Sequence, residues 1–174
     1  MRELSYYPSM GRVFFLWAAV SCQAPAPHSA EEDVRELEIR MTELINVERE
    51  ARGLLPLVFS RALADTGREY SARMAEADRV HHDLDRPMEE RIEEGLPGMC
   101  RFGENLSKHT SIEYSLGDLM VSPGHRANLL SPRFTLVGVG IARTEDGFLY
   151  ITQEFARPCD PPGKRSKRPQ NLAQ

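Results

Sequence analysis

A glutamate within Gly103-Glu104-Asn105-Leu106 and a histidine within Ser122-Pro123-Gly124-His125-Arg126-Ala127-Asn128 are the residues of this chain best placed to do chemistry. A third, His82, follows the run Met74-Ala75-Glu76-Ala77-Asp78-Arg79-Val80-His81. Two neutral imidazoles with one carboxylate are a common divalent-metal set, with water in the open positions. The same trio can instead move protons, because histidine titrates near neutral pH. A plainer reading is open too: Glu104 accepts backbone N–H bonds inside a turn, and His125 caps or packs against its own helix. His81, Asp83 and His109 read as solvated surface residues, and His28 falls in a leader or linker.

The elements that must position these groups are legible from periodicity. Val34, Leu37, Met41, Leu44, Ile45 and Val47 recur at helical spacing from about Asp33 to Arg52, where Gly53 and Pro56 end the pattern. Ser60 opens a second helix with Leu63, Gly67, Tyr70, Met74 and Ala77 on one face, and His82 is expected to close it. A short helix is expected from Pro87 to Glu94, and two more over Ser111–Met120 and Pro123–Leu130. Ser122 as N-cap and Pro123 as first helical residue put His125 in a first turn. Glu104 is expected in a glycine-flanked turn that lets backbone approach closely. The period then changes. Val137, Val139 and Ile141 alternate with Gly138, Gly140 and Ala142, the pattern of a strand pressed closely on something. Asp146-Gly147 signals a two-residue hairpin into a second strand, Phe148–Phe155. Helices first and a hairpin last predict an α+β layer structure.

The chain has 174 residues, 41% hydrophobic and 28% charged, enough for one compact domain with a leader and a tail. Its formal net charge of -4 is uneven: the segment from Arg157 onward is basic, so the body before it is more acidic than the whole. An acidic body argues against nucleic acid as a partner. Residues 1–30 resemble an export leader, with Arg12 ahead of the apolar run Val13–Val20, too short to span a bilayer. A buried N-terminal strand or helix is the alternative. Cys22 sits where a bacterial lipoprotein cysteine would, although Ala19 stands where leucine is preferred. The expected division is a leader over 1–30, a folded domain over 31–157 and a basic tail over 158–174, with no transmembrane segment in the mature chain. In an oxidising compartment Cys100 and Cys159 could pair, worth roughly 3–4 kcal/mol on the entropic model; two free buried thiols are the alternative. The sequence holds no Cys-x-x-Cys zinc spacing, no Gly-x-Ser-x-Gly elbow, no P-loop and no dinucleotide fingerprint.

Taken together the motifs resemble the CAP superfamily of cysteine-rich secretory, antigen 5 and pathogenesis-related proteins, in its short bacterial SCP-domain form. The landmarks run in order from Leu44 to Phe155: Leu44-Ile45-Asn46-x-x-Arg49-x-x-x-Gly53-Leu54-x-Pro56-Leu57, then Leu63-x-x-x-Gly67-x-x-Tyr70-Ser71-x-x-Met74-Ala75, then Gly103-Glu104-Asn105-Leu106. Ser122-Pro123-Gly124-His125-Arg126-x-Asn128-Leu129-Leu130, Phe134-Thr135-x-Val137-Gly138-Val139-Gly140 and Tyr150–Phe155 complete the series. The resemblance implies an α-β-α sandwich with a small antiparallel sheet between helices. It implies a central cleft lined by two histidines and acidic residues, which in some members holds a divalent cation such as zinc. His82, Glu104 and His125 match that set as cleft residues and as metal ligands. The second acidic position falls near Val121 or Ser122 and is missing, and Leu119 replaces the aromatic before it, which leaves fewer charged ligands for a metal.

The function expected from these readings is an exported, non-enzymatic module that binds a small-molecule, lipid or cell-envelope polymer ligand through an acidic, histidine-bearing cleft. Two alternatives stand beside it. One is a metal-assisted hydrolase of peptide or cell-wall substrates, with Glu104 moving the proton of a metal-bound water. The other is a lipid or sterol carrier whose ligand lies between helices. A fold of this kind does not dictate one activity.

Overall fold

The computed structural model describes residues 30–160. The expected leader with Cys22 and His28, and the tail beyond Asp160, lie outside the described residues. In chain order the elements are α1 (Ala30–Glu50), β1 (Val58–Phe59), α2 (Arg61–Glu76), α3 (Met88–Gly95), β2 (Met99–His109), α4 (Ile112–Val121), α5 (Pro123–Leu129), β3 (Leu136–Arg143) and β4 (Leu149–Pro158). Among the described residues no helix is long and apolar enough to cross a membrane.

The four strands form one sheet in the order β1-β3-β4-β2. β3 and β2 both pair antiparallel with β4, but β1 pairs parallel with β3, at Val58↔Leu136 and Phe59↔Val137. The sheet is therefore mixed, not wholly antiparallel. The cause lies in the connection: α1 and α2 both pack on β3, and β1, the link between them, pairs along its free edge. Val58 N–H donates to Thr135 O and Ser60 N–H to Val137 O.

Helices cover both faces, as an α-β-α sandwich requires. Met41 and Ile45 of α1, Ile112, Leu116 and Leu119 of α4, and Leu129 of α5 join Val137, Val139, Ile141, Ile151 and Phe155 of the sheet in one buried cluster. This removal of apolar surface from water is the main term holding the layers together. Arg49 fastens the same layer. Its buried guanidinium donates to Leu129 O at 2.8 Å and Ser131 O at 3.0 Å, and so ties α1 to the last turn of α5. Asn46 brackets Leu57, giving 3.0 Å to its carbonyl and taking 2.8 Å from its N–H.

On the other face α2 lies unusually close to β3. A Cβ on Gly138 would collide with backbone of Leu63 and Ala64, and one on Gly140 with backbone of Gly67 and Arg68. The alternating glycines therefore serve a close approach, as their spacing predicts. Ser71 of α2 extends the contact by donating to Gly140 O at 2.9 Å and bonding Thr152 Oγ1 at 2.8 Å. Glu38 of α1 is buried and holds Arg68 through two bonds of 2.8 and 2.6 Å, while also accepting from Ile141 N–H.

Three local expectations change. α2 stops at Glu76, six residues before His82. Asp78 takes a positive φ of 46° there, and the N–H groups of Asp78 and Arg79 return to Ala75 O and Met74 O, a left-handed C-terminal cap. Asp78 accepts this conformation while its carboxylate receives Lys108 and the Tyr150 hydroxyl. The β3–β4 loop spans 144–148, not two residues, with Thr144 bonded to Phe148 across it and Gly147 at φ 87°. The folded part also runs past residue 157, because β4 reaches Pro158 and Cys159 is covalently held.

Cys100 and Cys159 form a disulfide, with Cα atoms 4.8 Å apart. It staples the first turn of β2, where the pairing register shifts between Met99 and Arg101, to the end of β4. The bond encloses a separation of 59 residues. Reduction is expected to lower stability by roughly 4 kcal/mol on the loop-entropy model. Urea unfolding with and without reductant measures this, and coincident curves would contradict it.

Candidate functional site

Glu104 does not sit in a turn. It lies in the middle of β2, directly opposite Glu154 of β4 in the ladder. Its side chain is only 2% exposed, so the charge needs partners. Two are present: one carboxylate oxygen takes His82 Nδ1 at 2.7 Å and the other takes the Arg91 guanidinium. A carboxylate accepts and cannot donate, so His82 carries its proton on Nδ1, and Nε2 is left for other partners.

Arg91 is the residue that sequence reasoning missed. It projects from α3, is 3% exposed, and lies 3.5 Å over the ring of Tyr70. Besides Glu104 it donates to His82 O at 3.2 Å and Arg86 O at 2.7 Å, which pins the loop between α2 and α3. Tyr70 fixes the same loop, its hydroxyl donating to His81 O at 2.6 Å and accepting from Leu84 N–H at 3.1 Å. His82 is thus positioned through its ring by Glu104 and through its carbonyl by Arg91. Its own side chain remains 53% exposed. Within a short helix rich in charged residues, Arg91 carries no local signal of this role.

His125 arrives from the opposite layer. Ser122 and Pro123 occupy the N-cap and first helical positions of α5 as expected, although the Ser122 hydroxyl makes no capping bond. Asn105, next to Glu104, donates to His125 O at 3.1 Å, and Asn128 donates to Glu104 O at 3.1 Å and Asn105 Oδ1 at 3.0 Å. This amide network lashes α5 to β2. His125 is thereby tied to the strand that carries Glu104, but it is not among the residues lining the cleft at His82 and Glu104. His81 and His109 stay outside, His81 accepting from Asp83 N–H and His109 bonding Asp118, whereas Asp83 reaches the cleft lining.

Electrostatics separates the two rings. The hydrogen bond to Glu104 pushes the His82 pKa up, against a smaller effect of burial. Burial pushes that of His125 down, and His82 adds to this. One ring is biased toward the imidazolium and the other toward the neutral base. A cleft of about 340 Å³ lies against His82, Asp83, Met88, Glu89, Glu104 and Asn128.

Glu154, opposite Glu104, is also buried, 0% exposed, with neither carboxyl oxygen hydrogen-bonded among the described residues. Burial, and then the charge of Glu104, push its pKa from 4.5 up to about 8. The folded form therefore keeps a proton that the unfolded chain releases. Stability is full below the unfolded value of 4.5 and falls through the window up to about 8, by about 1.4 kcal/mol per pH unit at most. Glu154→Gln should flatten that slope in unfolding experiments run from pH 5 to 8; an unchanged slope would refute it.

The donor set falls short of what a divalent ion needs. Both Glu104 oxygens are engaged, and an ion placed there would face the Arg91 guanidinium. Among the described residues no group of three or more His, Cys, Asp and Glu side chains is arranged to hold a metal. In this arrangement Glu104 is committed to His82 and Arg91 and is not open as a direct ligand.

This fold is that of a known class. Residues 42–155 match the model of the cysteine-rich secretory protein family, CAP, and the chain belongs to that family. It is 33% identical over 131 residues to the uncharacterized protein YkwD of Bacillus subtilis (strain 168), covering 73% of this chain and 49% of that one. The solved structure of an extracellular protein containing a SCP domain from Bacillus anthracis str. Ames superposes with a TM-score of 0.67 at 26% identity, over 76% of this chain and 45% of that chain. An outer surface protein from Borrelia burgdorferi shares the fold, with a TM-score of 0.67 at 19% identity, over 76% of this chain and 97% of its own. The chain thus spans about half the length of its two Bacillus relatives.

Proposed function

We propose that this CAP domain works outside the cytoplasm as a ligand-binding module, with His82, Glu104 and His125 as the contact residues of its cleft. The observation that carries the reading is the buried Arg91–Glu104 pair holding a half-exposed His82 at the cleft. A protein that buries two charges to orient one imidazole invests stability in recognition, because such a pair rarely stabilises a fold by itself. The extracellular and outer-surface settings named for the Bacillus anthracis and Borrelia proteins support the compartment, as does the disulfide. A resident cation is left out of this proposal, because the carboxylate that would bind it already serves Arg91.

The test is native mass spectrometry on protein purified from its own compartment, comparing the parent with His82→Ala/His125→Ala. A bound small molecule present in the parent and lost in the folded double variant is the expected result. Retention of the same molecule by the double variant would instead favour carriage between helices. Zinc added to the parent is expected to leave the melting temperature unchanged; a rise that disappears with both histidines would restore the cation.

One observation favours a second reading. The His82 pKa is pushed up and the His125 pKa down, the pairing of proton donor and proton acceptor that acid–base hydrolysis requires of a substrate reaching both rings. Turnover of peptide or peptidoglycan fragments that vanishes in Glu104→Gln would establish it. The cleft lining includes no serine, threonine or cysteine to act as nucleophile, and binding is the better-supported conclusion.

A further inference from the structure

Beside the histidine cleft lies a larger groove of about 970 Å³, and its chemistry is different. The two share Glu89 and Asn128 at their boundary. Three arginines from three segments line the groove: Arg101 at the start of β2, Arg126 on α5, and Arg133 in the loop before β3. All three are exposed. Among the described residues none of them has an ion-pair or hydrogen-bond partner for its guanidinium. By contrast, Arg40, Arg52, Arg68, Arg73 and Arg86 all sit against carboxylates. Glu89 is the single acidic residue in the lining.

Arg79 and Arg143 also lack ion pairs among the described residues, but Arg101, Arg126 and Arg133 are gathered into one concave site. Guanidinium groups recognise phosphate through paired N–H donors and stay charged at every accessible pH. The lining also includes apolar side chains: Val121, 80% exposed, Leu130 and Phe134. An exposed valine in a groove gains by being covered. The groove is also rigidly built on one side, because Arg101 follows Cys100, whose disulfide to Cys159 fixes the start of β2.

We propose that this groove is a second binding site, for a phosphate-bearing ligand with an apolar portion. The phosphate lies on Arg101, Arg126 and Arg133, and the apolar portion lies against Val121 and Leu130. This goes beyond the histidine-cleft reading and does not depend on it, since no residue of the arginine set belongs to that cleft. The phosphate could be carried by a soluble ester or by a phospholipid headgroup, and the two sources are separable.

The experiment uses the full chain, so that the basic tail is common to every sample. Binding of glycerol phosphate is measured by calorimetry, and binding to vesicles of equal parts phosphatidylglycerol and phosphatidylcholine by co-sedimentation, at fixed ionic strength. Arg101→Gln/Arg126→Gln/Arg133→Gln is expected to weaken binding by about tenfold or more. The control is Arg79→Gln/Arg143→Gln, two arginines outside the groove that also lack ion pairs among the described residues; it is expected to change binding less than about twofold. Single replacements of Arg126 and Arg133, checked for unchanged melting temperature, guard against a folding defect in the triple variant. Binding of glycerol phosphate assigns a soluble ester, and binding of vesicles alone assigns a headgroup; either supports the site. Equal losses in the groove and control variants, or no binding of either probe by the parent, overturn it. Reduction of the disulfide should weaken binding in the same direction as Arg101→Gln.

Discussion

Replacing Arg91 with methionine is expected to cost about 3–5 kcal/mol, the usual penalty for leaving a buried charge without its partner. Methionine fills much of the volume beside Tyr70, so the loss reports charge more than a cavity. Glu104, 2% exposed, would keep only His82 as a partner and would still face Glu154 across the ladder. Acidification, which neutralises carboxylates, should recover part of the loss. The double variant Arg91→Met/Glu104→Gln should recover more than half of it, because both members of the pair are then neutral. Arg91 also opposes the rise in the His82 pKa, so its removal should move the imidazole titration upward by NMR. A loss below about 1 kcal/mol would mean a solvated pair, and the floor of the cleft would need another explanation.

Gly140→Val should be as damaging for a different reason. The new Cβ alone would overlap backbone of Gly67 and Arg68, which no rotamer change can relieve. α2 must therefore lift from β3, pulling Ser71 from Gly140 O and disturbing the packing of Glu38 with Arg68. A loss of about 3 kcal/mol or more is expected, corresponding to a melting temperature lower by roughly 10 °C. Gly124→Ala is the matched control, since a Cβ there meets nothing within 4 Å. Its stability should change little or rise slightly with helix propensity. If both variants melt together with the parent, the close helix–strand contact is wrong.

The two outcomes also separate what each part of the molecule is for. Gly140 acts on the sandwich as a whole, whereas Arg91 acts on the cleft and on the loop that carries His82. A folded Arg91→Met protein that has lost its ligand would place stability and recognition in different residues.

Much of this architecture was legible in the chain because it depends on local periodicity. α1, α2, α4, α5 and the β3–β4 pair each declare themselves through a repeating apolar pattern or a capping residue, and Gly138 and Gly140 announce a close approach by alternating with Val137, Val139 and Ile141. β2 did not. Its buried centre reads Gly103-Glu104-Asn105-Leu106, with residues that favour turns, and nothing local shows that Glu104 meets Arg91 or that Asn105 meets His125 O and Gln153. β1 is two residues long and exists because the chain pairs at a sheet edge there.

The sequence by itself determined the family and the segments that carry His82, Glu104 and His125, and through the family resemblance it implied the layer order, since motif order and amphipathic spacing are local properties. Only the tertiary structure decided that Glu104 is buried beside Arg91, that Glu154 keeps its proton, and that Arg101, Arg126 and Arg133 share one groove. Each of those facts depends on which charges are brought together and how far water is removed from them. Linear spacing carries neither quantity.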